Sequence, residues 1–167
     1  NYRFNLFVHA QVSVYPVNLN SVTFHSGTES LAAHCFEACE ALKTLSLPET
    51  MTQFGDSVFA GCKVLTSANI PAGTTTIPPS MFNTCNALKN ITIPDTVKVI
   101  EPYAFSDCDN LKQIVLPKSV HSIDAGAFYD CYSLTSLNLM GFDTTWIYLN
   151  TVKIEGSEVS SSIEPSK

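Results

Sequence analysis

Hydrophobic and polar positions along this chain repeat with a fixed interval of 23 residues. Phe36, Phe59, Phe82, Phe105 and Phe128 share one register, as do Leu42, Leu65, Leu88, Leu111 and Leu134. A third column holds Leu45, Ala68, Ile91, Ile114 and Leu137, and a fourth holds Leu47, Ile70, Ile93, Leu116 and Leu139. Pro48, Pro71, Pro94 and Pro117 follow directly, and Phe54, Ile77, Ile100 and Ile123 close the units. A composition bias alone does not hold so many columns in one register. Each unit is too short to bury its own apolar residues. Stacking in register turns every column into a shared apolar ladder, which is the logic of a solenoid.

The pattern within one unit predicts its elements. Between Leu111 and Leu116, Ile114 and Leu116 point one way while Gln113 and Val115 point the other. That is a short strand with one buried face. Pro117 ends it, since proline has no N–H for a strand ladder. Apolar residues three and four apart in Ala104–Cys108 predict a single helical turn on the opposite side. The expected fold is therefore an α/β repeat, a right-handed solenoid. Short parallel strands, about 4.8 Å apart, line one face and single helical turns line the other.

The ends depart from the register. Residues 1–18 alternate strictly, with Tyr2, Phe4, Leu6, Val8, Ala10, Val12 and Val14 on one face, which predicts a strand-rich N-terminal cap. The repeats occupy 19–139. Residues 140–167 are expected to hold a C-terminal cap around Trp146 and then a polar, Ser-rich tail.

Composition narrows the function. The chain has 167 residues, of which 45% are hydrophobic and 14% charged, so it carries an ordered core. Its net charge of −6 disfavours nucleic acid and anionic membrane as partners. No apolar run is long enough to cross a bilayer. Catalytic sequence signatures such as GxSxG, HExxH and the P-loop are absent. His9, His25, His34 and His121 are scattered, and no paired CxxC spacing marks a zinc site. No catalytic residue, metal or cofactor is expected. Cys39, Cys62, Cys85, Cys108 and Cys131 follow the 23-residue register, and Cys35 occupies the column of Val58, Met81, Ala104 and Ala127. All six are read as small core residues with free thiols; a Cys35–Cys39 disulfide is the one alternative left open.

The unit AFSDCDNLKQIVLPKSVHSI resembles the BspA-like leucine-rich repeats, over about residues 19–139. The resemblance implies a leucine-rich-repeat solenoid from a cell-surface or secreted protein, with roles in adhesion and in binding host or microbial proteins. It implies a protein or glycan ligand at a cell surface, and no particular one. The N-terminus reads Asn-Tyr-Arg-Phe-Asn-Leu-Phe-Val, without a basic leader or cleavage site, as expected for a segment of a longer protein. A second reading makes the chain a spacer that presents another domain, and a remote third makes it an enzyme.

A ligand is expected on the concave strand face. Its outward columns hold Thr44, Ser67, Asn90, Gln113 and Ser136, and beside them Ser46, Asn69, Thr92, Val115 and Asn138. Lys43, Lys89 and Lys112 flank them. The face contains no Trp, Tyr or Arg, the residues that dominate tight interfaces. Tyr103, Tyr129, Tyr132 and Trp146, which fall elsewhere, are the better anchor candidates. Asn69→Ala, on a solvated face, is expected to cost about 0.5 kcal/mol or less.

Overall fold

A computed structural model describes residues 17–139, with only the backbone of Asn138 and Leu139. The expected N-terminal cap strand up to residue 16, Trp146 and the polar tail lie outside the described residues. Ten strands run β1 (Ser30–Leu31), β2 (Thr44–Leu45), β3 (Gln53–Phe54), β4 (Ser67–Asn69), β5 (Thr76–Ile77), β6 (Asn90–Thr92), β7 (Val99–Ile100), β8 (Gln113–Leu116), β9 (Ser122–Ile123) and β10 (Ser136–Leu139). Every described pairing is parallel and joins residues 23 apart, such as Ala68 with Ile91 and Ile114 with Leu137. The sequence interval is thus one full coil.

The strands form two faces of the solenoid. On the first, β2, β4 and β6 pair in order, β8 pairs with β10, and β6 lies alongside β8. On the second, β1 pairs with β3, and β5, β7 and β9 pair in order. This second ladder is built on the column that closes each unit. Leu31, Ile77, Ile100 and Ile123 are buried there, and Phe54 is half-buried. One inward residue in a two-residue segment suffices for a strand when the neighbouring coil supplies the hydrogen bonds, so the pattern is too brief to read from one unit.

The expected helical turns do not form: there is no helix among the described residues. Each coil instead crosses this side with two residues at positive φ, four apart. They are His34 and Ala38, Ser57 and Gly61, Ser80 and Thr84, Tyr103 and Asp107, and Gly126 and Asp130. Left-handed residues interrupt a right-handed helix. They also turn backbone N–H groups out of the coil and toward the next one. Phe36 N–H donates to Val58 O (2.9 Å), Phe82 N–H to Ala104 O (2.8 Å) and Phe105 N–H to Ala127 O (2.8 Å). A helical turn would have directed those donors within its own coil. The α/β reading therefore gives way to an all-β solenoid whose turn side is also hydrogen-bonded from coil to coil.

The apolar columns meet in the middle. Phe36, Phe59, Phe82, Phe105 and Phe128 stack face to face with ring centroids 5.7, 5.7, 5.6 and 5.4 Å apart. Phe24 closes the N-terminal end of this stack edge-on, at 5.8 Å. The cysteine column runs beside it. All six cysteines are free thiols, with Cys35 half-buried and the other five buried. Cys62, Cys85, Cys108 and Cys131 each donate an S–H to the Phe carbonyl of the preceding coil, at 3.0–3.3 Å. Each Cys carries a small apolar body and a weak donor, which suits a position facing both a ring and a bent backbone. Burial pushes the Cys39 thiol up to about 11 and those of Cys62 and Cys131 to about 12.

Candidate binding surface

Strand geometry sorts the sheet's side chains. Along β2, β4, β6 and β8 successive residues alternate outward and inward, so Leu45, Ala68, Ile91 and Ile114 enter the core. Thr44, Ser67, Asn90, Gln113 and Ser136 stand exposed in one row, one per coil. Ser46, Thr92 and Val115 are exposed in the second row, and Val115 is 52% accessible. Lys43, Lys89 and Lys112 are exposed along one border. The structure thus brings the expected strand-face residues onto one surface, apart from Asn69 and Asn138. Of Asn138 only the backbone is described.

Asn69 is the exception that sequence reasoning missed. It is half-buried, and its side-chain amide grips the backbone of the preceding coil. Leu47 N–H donates to Asn69 Oδ1 at 2.9 Å, and Asn69 Nδ2 donates to Leu47 O at 3.0 Å. Strand β2 ends at Leu45, two residues short of Leu47. The amide takes over both backbone groups where the ladder lapses. A carboxamide offers one acceptor and two donors, so it satisfies an N–H and a C=O together. This contradicts the reading of Asn69 as a freely solvated contact residue. The sequence column, which also carries Ser46, Thr92, Val115 and a second Asn at 138, gives no signal that singles Asn69 out.

The tyrosines lie off this face, on the turn side. Tyr103, Tyr129 and Tyr132 are 48%, 43% and 71% accessible, among the most exposed large side chains described. Asp107, Asp109 and Asp130 lie among them. Asp107 N–H donates to Tyr129 O (2.8 Å), and Asp109 accepts from Asn86 Nδ2 (2.7 Å). Two contacts between basic and acidic side chains are described elsewhere. Lys63 Nζ lies 2.7 Å from Glu40, and His34 Nδ1 lies 3.0 Å from Glu37 on an exposed turn. No helix among the described residues is long and apolar enough to cross a membrane. Among the described residues no three His, Cys, Asp or Glu side chains converge as a metal site would require. The arrangement offers surfaces for contact: an exposed, mostly polar strand face and a tyrosine-bearing edge.

The repeat has close counterparts. The sequence profile of the BspA type leucine rich repeat region matches residues 12–135 and 77–150, with six copies. A leucine rich cell surface protein from Faecalibacterium prausnitzii A2-165 is similar in structure, with a TM-score of 0.74 and 28% identity; the match covers 79% of this chain and 35% of that one. A leucine rich repeat protein of T. pallidum aligns with a TM-score of 0.65 and 36% identity, over 66% of this chain and 52% of that one. One from Bacteroides ovatus ATCC 8483 aligns with a TM-score of 0.63 and 32% identity, over 66% and 29%. The chain matches about a third to a half of the length of these three structures. No curated protein matches it.

Proposed function

The chain belongs to the BspA-type leucine-rich-repeat family, and on that premise we propose that it is a non-catalytic binding module, of the adhesion type, in an extracellular or cell-surface protein. The observation that carries this reading is the strand face: five coils present exposed side chains in one row on parallel strands. Solenoids use such extended faces for contact, because many small interactions add over a surface that loses little freedom on binding. The similarity to a leucine rich cell surface protein supports the location. The ligand in this reading is a protein or a glycan rather than a nucleic acid, in keeping with the net charge of −6.

One feature favours a second reading, in which the chain is a spacer that presents a neighbouring domain. The strand face carries no Trp, Tyr or Arg to anchor a tight complex. One experiment separates the two. The purified chain is assayed by biolayer interferometry against immobilised matrix proteins and glycans, beside the double variant Thr92→Arg/Val115→Arg. Both positions are exposed, so the sheet is retained. The binding reading expects a ligand whose affinity drops about tenfold or more in the variant, with unchanged circular dichroism. No binding by the chain, with activity in an adjoining domain of the full protein, leaves the spacer.

A further inference from the structure

We propose that the tyrosine-lined acidic edge of the last two described coils is a docking site for an arginine- or lysine-rich segment of a partner protein. This rests on the reading of the chain as a binding module, but places a second contact on a different side of the solenoid.

Three observations converge. The first is exposure: Tyr103, Tyr129 and Tyr132 stand open to solvent, and tyrosine is a residue type that concentrates binding energy. The second is that one of these rings is held in place before any partner arrives. Gly126, at φ +69°, leaves the space that the Tyr103 ring fills; a Cβ there would come within 2.6 Å of Tyr103 Cε1. The same column holds His34, Ser57, Ser80 and Tyr103 in the earlier coils, so this seat exists only in the last described coil. A ring already fixed loses little rotamer freedom on binding. The Asp130 carboxylate lies close enough to the Tyr132 phenol to push it up.

The third observation is charge. Asp107 and Asp130 occupy one column in adjacent coils, and Asp109 lies in the column of Tyr132. Neither of the described contacts between basic and acidic side chains involves these carboxylates. The exposed Tyr132 phenol is pushed up by Asp130 first and by Tyr129 and Asp107 to a lesser degree. Three half-buried carboxylates therefore stand beside exposed tyrosines with no described cationic partner. A guanidinium or ammonium group satisfies both elements. It pairs with a carboxylate, and it lies favourably on a tyrosine face. An anionic or purely apolar partner satisfies neither.

The test uses fluorescence anisotropy of a short labelled peptide of alternating Arg and Ser, with a Glu-for-Arg peptide as comparison. The full chain is expected to bind the Arg peptide and not the Glu peptide. The variant Asp107→Asn/Asp109→Asn/Asp130→Asn is expected to weaken binding by about tenfold or more. Asn tolerates the positive φ at 107 and 130, and it keeps the acceptor for Asn86. The charge-matched variant Glu29→Gln/Glu49→Gln/Asp95→Asn, away from the edge, is expected to weaken it less than about twofold. Tyr132→Ala is expected to weaken it about fivefold, with unchanged thermal stability. Equal losses in the two triple variants reduce the effect to net charge and overturn the proposal, as does no loss in either. A chain that binds matrix protein through the strand face, but not the Arg peptide, ends this inference alone. Binding of the peptide with no dependence on Thr92 and Val115 for any other ligand ends only the strand-face reading.

Discussion

Replacing Phe105 by Ala probes the solenoid where its columns are most continuous. The ring is fully buried between Phe82 at 5.6 Å and Phe128 at 5.4 Å, nearly parallel to both with interplanar angles of 8° and 4°. Truncating a buried phenylalanine costs about 3–5 kcal/mol, from lost transfer energy plus the cavity that remains. Two features place this site toward the upper end. Two ring–ring contacts vanish together, each worth about 0.5–1.5 kcal/mol in aromatic pairs. The void also resists collapse, because the flanking coils are tied by Phe82 N–H to Ala104 O, by Phe105 N–H to Ala127 O, and by Cys131 Sγ to Phe105 O. The expected loss is about 4–5 kcal/mol. In a chain of this size it lowers Tm by roughly 8–20 °C. The assay is urea unfolding followed by circular dichroism and by tyrosine fluorescence, since coincident transitions license a single free energy. Val115→Ala, on the exposed face, is the reference and should change stability by about 0.5 kcal/mol or less. A Phe105→Ala midpoint within error of the Val115→Ala midpoint would refute the shared aromatic column.

Other expectations follow from single contacts. Asn69→Ala should cost about 1–3 kcal/mol in urea unfolding, because Leu47 N–H and C=O both lose their partner; a loss below about 0.5 kcal/mol would show that water replaces the amide freely. Gly55→Ala should cost more than about 2 kcal/mol, since its Cβ would come within 2.2 Å of the Ala33 backbone nitrogen, which cannot swing aside; an unchanged Tm would show that the coils can separate there. In the native state at pH 8, Cys35, half-buried, should react first with a thiol-specific disulfide reagent, while buried Cys85 and Cys108 stay protected until denaturant is added; native labelling of all six at one rate would sink the buried thiol column. Stability should fall as pH rises above about 8.5, where unfolded thiols begin to ionise. The folded thiols of Cys39 and Cys62 hold their protons to about 11 and about 12. Between those limits the unfolded chain binds fewer protons, so the contribution present at neutral pH is lost upward through that window. A urea midpoint that stays level from pH 8 to pH 10 would contradict it.

How much of this was legible follows from where each signal resides. The 23-residue interval, the inward and outward alternation of β8, the proline stops and the burial of the Phe, Leu and Cys columns all stand in the chain itself. They are properties of single residues repeated, and repetition alone forces them into common ladders. The strand face was equally legible: Thr44, Asn90 and Gln113 point outward because their neighbours must point inward. The helical turn misled because three- and four-residue spacing of buried positions fits any tight turn with one side inward. What distinguishes the alternatives is where the N–H groups go, and here they go to the next coil.

By itself the sequence determined the coil length, the stacking register and which side chains are dry, since these depend only on residue type and interval. Tertiary structure alone decided three things. It set left-handed residues on the turn side in place of a helix, withdrew Asn69 from the surface to complete a lapsed ladder, and seated the Tyr103 ring against Gly126. The physical reason is common to all three. Each depends on what the adjacent coil offers, a carbonyl, an unpaired backbone pair or a bare glycine. That neighbour lies about 23 residues away in the chain and one strand spacing, about 4.8 Å, away in space.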